Sequence, residues 1–271
     1  MINVQNISFH YKGQKTLVFD GFSLRLAEDR IYGLLGKNGT GKSTLLYLLS
    51  GLLRPNNGYV SVDGVEARKR QPEMLHDIFL VTEEFELPAM RLSEYVKLYR
   101  PFYPNFSDEV LDNCLKDFEL DRGVKFNELS MGQRKKAYIA FAMATNTKYL
   151  FMDEPTNGLD IPSKSQFRKV IAQNMTEERT VIISTHQVHD VEQMLDHIII
   201  LDQRSVLLNA SMQDIQEQFT FEYRSPQEMD DSVLYAEPTL QGNAVITKRQ
   251  EGNAETQVNL ELLFNYKTQA K

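Results

Sequence analysis

Short strand-like runs separated by turn residues open the chain: INVQNISFHY, then VFDGFSLRL, then RIYGLLG. The third is a compact apolar run ending in Gly36, the texture of a buried strand. Residues 42–53 follow with apolar positions dense enough for a buried helix and Gly51 near its end. GYVSVDG (58–64) reads as a further short strand between turn residues. From about 84 to 144 the pattern becomes helical, as in LSEYVKLYRPF and SDEVLDNCLKDFEL, where Ser107 and Asp108 can cap the second helix. Strand-like runs then return as KYLFMD, TVIIST and HIIIL, separated by helical segments such as SKSQFRKVIAQNM. Apolar strands alternating with helices predict a parallel sheet covered on both faces. From about Gln213 the tail changes again, with an alternating run (AVITKR), a turn expected at Glu251, Gly252 and Asn253, and a final amphipathic piece, NLELLFNYK. It reads as a small appended β/α element.

Composition narrows the picture. A chain of 271 residues with 42% apolar residues has room for one sizeable α/β domain and a small appendage, without disulfides or a structural metal. Cys114 is the sole cysteine, and no Cys/His cluster suggests zinc; both fit a reducing, cytoplasmic setting. The N-terminal residues lack the pattern of a signal peptide, and no apolar run approaches a membrane span. Any role at a membrane is therefore expected to come through a partner. A net charge of −7 argues against general nucleic-acid affinity. The basic clusters at Arg68, Lys69 and Arg70 and at Arg134, Lys135 and Lys136 read as solvated helix faces.

Three segments carry candidate chemistry. Gly36-Lys37-Asn38-Gly39-Thr40-Gly41-Lys42-Ser43, followed by Thr44, matches the P-loop pattern between a strand and a helix. Its glycines let backbone N–H groups turn inward around phosphate oxygens, and the helix N-terminus adds partial positive charge. Lys42 is placed to neutralise β- and γ-phosphates, and the Ser43 hydroxyl to coordinate Mg²⁺. The run Tyr149-Leu150-Phe151-Met152-Asp153 is expected to be a buried parallel strand that delivers Asp153 and Glu154 at its tip, beside the P-loop. Asp153 can hold Mg²⁺ through its water shell, and Glu154 can take a proton from, or orient, an attacking water. Leu129-Ser130-Met131-Gly132-Gln133 precedes a helical run leading into that strand. A hydroxyl, a free N–H and a helix N-terminus there form a second anion site, and the same Ser130 also serves as an ordinary helix cap.

With the P-loop upstream and His186 downstream, this order resembles the ATP-binding-cassette (ABC) ATPases over roughly residues 1–212. The resemblance implies an α/β fold: a P-loop NTPase core with a parallel sheet, an N-terminal antiparallel β region, an inserted helical subdomain (about 84–144) and a small C-terminal β/α appendage (213–271). It implies Mg-ATP as ligand and identifies residues 129–133 as the signature motif. Ser130, Gly132 and Gln133 would then meet ATP held by an opposing subunit. Tyr11 aligns with the aromatic residue that stacks on adenine. Asn157-Gly158-Leu159-Asp160 looks like the D-loop, with Asp160 touching the opposite subunit, and His186 resembles the switch histidine that senses γ-phosphate. Two departures stand out. Met131 occupies a position where the commonest family form has glycine. Thr82-Glu83-Glu84 follows the expected strand Ile78–Val81 where the family usually has glutamine, so Glu83 brings a negative charge beside ATP and within reach of Mg²⁺.

The implied function is the ATP-hydrolysing subunit of an ABC transporter, working as a homodimer or heterodimer on the cytoplasmic face beneath a membrane-spanning permease, without nucleic acid. The helical segment 84–123 would form the docking surface, most of its aromatics serving as its own small core. The short tail favours export. The alternative is a soluble ABC-type ATPase of an assembly or scaffold complex. A simple kinase or GTPase is disfavoured, because a signature and a switch histidine would be idle there.

Overall fold

The computed structural model describes residues 1–269 apart from 203, 251 and 253. In chain order it begins β1 (Ile2–Phe9), β2 (Phe19–Leu26), β3 (Ile31–Gly36), α1 (Lys42–Leu49), β4 (Asn57–Val62), β5 (Val65–Glu66), α2 (Pro72–His76) and β6 (Ile78–Val81). A helical stretch follows: α3 (Leu92–Tyr99), α4 (Asp108–Asp117) and α5 (Met131–Ala144). Then come β7 (Tyr149–Asp153), α6 (Ile161–Gln173), β8 (Thr180–Thr185), β9 (His197–Asp202) and β10 (Ser205–Ser211). The C-terminal part holds α7 (Met212–Gln218), β11 (Phe219–Arg224), β12 (Val233–Thr239), β13 (Gly242–Lys248) and α8 (Leu260–Gln269).

Strands β2-β1-β4-β5 form an antiparallel sheet near the N-terminus. Ile2, Val4, Ile7 and Phe9 of β1 are all buried. The register shift between Val4 and Ile7, at a left-handed Asn6, resets the alternation so that all four reach one core. The main sheet has six strands in the order β10-β9-β3-β8-β7-β6, parallel except for the β10 edge. Every residue of β3, β7 and β8 is buried, the pattern of strands covered on both faces. Alternate positions of β7 divide between two cores. Leu150 and Met152 join the side packed by α5 and α6, while Tyr149 and Phe151 join the side holding α1 and the antiparallel sheet.

Several expectations need adjusting. Helix α1 stops at Leu49, short of Leu53, because the chain turns at Gly51 with φ 71°. A Cβ on Gly51 would lie 2.2 Å from the Ala67 carbonyl oxygen, so only glycine fits there. Strand β8 lies between β3 and β7, and the tip of β7 still reaches the P-loop. In the helical stretch, the Ser107 hydroxyl accepts from the Val110 amide at 3.2 Å and caps α4, which buries Leu111, Cys114 and Leu115. Tyr95, Phe106 and Phe79 pack around Phe141 with ring centroids 4.9, 5.6 and 5.8 Å apart, so these aromatics form a local core. Phe102 is the exception, 60% exposed.

The tail forms a three-stranded antiparallel sheet, β11-β13-β12, with AVITKR in β13 and NLELLFNYK opening into α8. Two positions of the expected turn, Glu251 and Asn253, lie outside the described residues. Leu260, Leu262 and Leu263 of α8 are buried. Among the described residues, no helix is long and apolar enough to cross a membrane.

Candidate functional site

The loop between β3 and α1 owes its shape to glycine. Gly39 and Gly41 take φ of 82° and 99°. A Cβ on Gly41 would meet Phe19 Cζ at 2.8 Å and Val18 Cγ1 at 2.9 Å, so any side chain would meet both strain and a clash. No side chain caps α1; the amides of its first turn are left for an outside acceptor, and the helix dipole favours an anion. Lys42 folds back over the loop and donates to the carbonyl oxygens of Gly36 at 2.8 Å and Lys37 at 3.4 Å. The loop is closed on itself by Thr40, whose hydroxyl donates to Lys37 O at 2.8 Å.

Glu154 stands directly after β7, with left-handed backbone at φ 45° and 4% exposure. Its amide donates to Ser184 O of β8 at 3.0 Å, which holds the turn against the intervening strand. The tip therefore reaches the loop although the two strands are not adjacent: Glu154 Oε1 lies 3.7 Å from Lys42 Nζ. His186, just past β8, places Nδ1 2.8 Å from the same oxygen. That contact is a hydrogen bond from imidazole to carboxylate in the tautomer with its proton on Nδ1. The other oxygen, Oε2, is buried without a hydrogen-bond partner. Asp153 is 1% exposed and accepts a hydrogen bond from the Ser184 hydroxyl. Burial pushes the Lys42 pKa down, and the charges of Glu154, Asp153 and Glu83 oppose that shift.

Lys42, Ser43, Thr44, Glu83, Glu154 and Tyr11 line one cleft of about 400 Å³, together with Asn38, Gly39 and Gly41. Tyr11 exchanges a hydrogen bond with the Thr44 hydroxyl at 2.9 Å and meets Phe9 edge-on. Glu83 accepts from Asn157 Nδ2 at 2.8 Å, and Gln187 Nε2 donates to Asn157 Oδ1 at 3.1 Å. Glu83 is thus joined to the segment after Glu154, 74 positions away in the chain.

The signature residues stand apart from that cleft. Ser130 caps α5 in a reciprocal box: its hydroxyl accepts from the Gln133 amide at 3.3 Å, and Gln133 Oε1 accepts from the Ser130 amide at 3.0 Å. A Cβ on Gly132 would sit 3.5 Å from Gly158 O, so this helix start packs closely on the residues read as the D-loop. Met131 and Ile161 project 69% and 83% exposed beside them. Asp160 has a local duty, its Oδ1 accepting from the Ser163 amide at 2.9 Å to cap α6.

One expectation is overturned. Lys135 is not on a solvated face: it is 3% exposed. Its ammonium donates to Asn157 O at 2.8 Å and Glu154 O at 3.2 Å. Charge patterning misassigned it because consecutive helix residues point 100° apart, so a run of three basic residues spans buried and solvated faces alike.

The family model for ABC transporters matches residues 19–157, half of the chain. The chain is 26% identical over 220 residues to the ABC transporter ATP-binding protein YtrB of Bacillus subtilis, covering 81% of this chain and 75% of that protein. It is 31% identical over 230 residues to the methionine import ATP-binding protein MetN of Carboxydothermus hydrogenoformans, covering 79% and 67%. A solved dimeric, post-hydrolysis state of the ATP-binding cassette MJ0796 with ADP and Pi superposes with a TM-score of 0.68 at 26% identity, covering 78% of this chain and 99% of that one. Loop, carboxylate tip and these likenesses agree: the chain belongs to the ABC transporter family, as an ATP-binding ATPase subunit.

Proposed function

We propose that the chain energises substrate movement across a membrane by hydrolysing Mg-ATP as one of two facing cassettes. The observation that carries this reading is the Glu154 carboxylate, buried between Lys42 and His186 at the mouth of the P-loop. Lys42 and the α1 amides would hold the β- and γ-phosphates, with Tyr11 against the adenine. Glu154 would orient the attacking water and accept its proton as the bond from the γ-phosphorus to the bridging oxygen breaks, giving ADP and phosphate. His186, oriented by Glu154, would report the γ-phosphate.

The donors suit Mg²⁺. Among the described residues no cluster of three His, Cys, Asp or Glu forms a protein cage, and Mg²⁺ typically takes one or two protein oxygens plus phosphates and water. Ser43 and Asp153, with Glu83 nearby, would supply those oxygens; the ion would neutralise charge developing on the phosphates.

Ser130, Gly132 and Gln133 lie outside the chain's own cleft, and the exposed Met131 and Ile161 flank them. Both facts support a signature that completes the site of a second copy or a related subunit. A groove of about 440 Å³ between α2, β6 and the helical stretch, bearing the exposed Leu52 and Phe102, supports docking of a membrane-spanning partner on the cytoplasmic side. In this reading residues 1–212 form the ATPase unit, with 84–144 its helical subdomain and 84–123 its partner-facing part, and 213–271 regulates or braces the dimer. The short tail favours export, whereas the relative MetN serves methionine import. Purification in mild detergent tests the whole: a stoichiometric multi-span protein and ATP-dependent dimers are expected. An active ATPase that never retains such a partner would favour the assembly-complex alternative.

A further inference from the structure

We propose that Lys135 is a positioning residue that holds Glu154 in its working geometry and ties it to the signature helix. The inference rests on the reading of Glu154 as the water-orienting carboxylate. Lys135 lies one turn into α5, five residues past the Ser130 cap. Its ammonium is spent on two backbone carbonyls, those of Glu154 and Asn157, at 3.2 and 2.8 Å. These are the two ends of the turn that leaves β7, and the Asn157 amide closes it by donating to Glu154 O at 3.2 Å. The same turn holds Glu154 at φ 45°, a region where a side chain other than glycine needs outside support. Beyond the turn, the Asn157 side chain joins Glu83 and Gln187.

A buried ammonium is an expensive way to satisfy two carbonyls, since an amide or a water could do so without a charge. Charge is useful here because Glu83, Glu154 and Asp153 all act on Lys135 and favour its ionised form against burial. Lys135 thus offsets the extra negative charge that Glu83 brings to this site. It also makes the start of α5 and the Glu154 turn one rigid unit. A displacement of Ser130 and Gly132 on the neighbour's ATP would then be carried to this chain's own Glu154 within a single helical turn.

The test compares the full chain with Lys135→Met and Lys135→Gln by phosphate release over an ATP titration at fixed Mg²⁺, alongside calorimetric ATP binding and thermal melting. Lys135→Met is expected to lower kcat by roughly tenfold or more while KM and ATP affinity stay within about threefold. Lys135→Gln, which restores a donor, should recover about a third or more of the wild-type kcat. A Lys135→Met kcat within about twofold of wild type overturns the proposal. So does a parallel loss of kcat, ATP binding and melting temperature that Lys135→Gln does not reverse, the mark of a purely structural tie. If Lys135→Met does not fold, Lys135→Ala, which admits water to the carbonyls, is read by the same criteria. Glu154→Gln separates the two failures. A wild-type rate there removes the carboxylate reading itself, whereas an inactive Glu154→Gln beside an active Lys135→Met removes this proposal alone.

Discussion

Replacing Glu154 by glutamine keeps the volume of the side chain and deletes one buried negative charge. Its Oε1 lies 3.7 Å from Lys42 Nζ, and both residues are almost fully buried. At an effective dielectric of about 20 that attraction is worth about 4 kcal/mol before desolvation. Removing one partner of a buried pair ordinarily costs about 3–5 kcal/mol because the other charge is left behind. Here Asp153 and Glu83 still act on Lys42, so the loss should stay at less than half of that cost, about 1–2 kcal/mol. Lys42 keeps its hydrogen bonds to Gly36 and Lys37, and the melting temperature should move by about 5 °C or less. Turnover should respond differently. A positioned general base contributes about 10²–10⁴ in rate, or about 3–5 kcal/mol of barrier. ATP binding should hold or tighten, because one fewer negative charge faces the triphosphate. Phosphate release at saturating ATP, ATP calorimetry and size-exclusion chromatography with ATP measure the three quantities. A loss of about 10² or more in kcat with retained binding and accumulated ATP-bound dimer is expected. Turnover within about threefold of wild type, or loss of binding together with turnover, refutes the reasoning.

Glu83→Gln should keep the hydrogen bond from Asn157 but remove the charge, so ATP binds more tightly and the Mg²⁺ concentration for half-maximal activity shifts; an unchanged Mg²⁺ dependence would place Glu83 outside metal binding. His189, three residues past His186, bonds Glu261 of α8 at 2.6 Å. That contact raises its pKa against partial burial, with Glu192 adding to the rise. A raised folded pKa stabilises below the ordinary value of about 6.5 and ceases to do so as pH climbs through the folded value. The difference in melting temperature between wild type and Glu261→Gln should therefore be largest below about pH 6.5 and fade as pH rises above it, staying small because the pair is exposed; a difference that grows with pH would contradict it.

Much of this molecule was legible one segment at a time. The P-loop is a contiguous stretch whose function depends on local backbone freedom, so strand, glycines and helix could be read in order. Strands β3, β7 and β8 were visible because burial on both faces demands apolar residues at nearly every position. Capping at Ser107 and Ser130 is likewise a matter of three or four neighbouring residues. The appended sheet was less clear: β11 alternates as FTFEYR, while β12 takes its strand form from pairing with β13.

The sequence alone thus determined the phosphate loop, the apolar strands and the acidic pair at the end of β7, because short-range sterics and binary patterning encode the loop and the strand that carries the pair. Tertiary structure decided what they face. It inserted β8 between the loop strand and the carboxylate strand, and it joined Glu83 to Asn157. It also buried Lys135 on the backbone of Glu154. Each outcome depends on contacts between residues distant in sequence. A lysine has the same charge on a solvated face or under the Glu154 turn, and only the packing of α5 against the end of β7 separates the two.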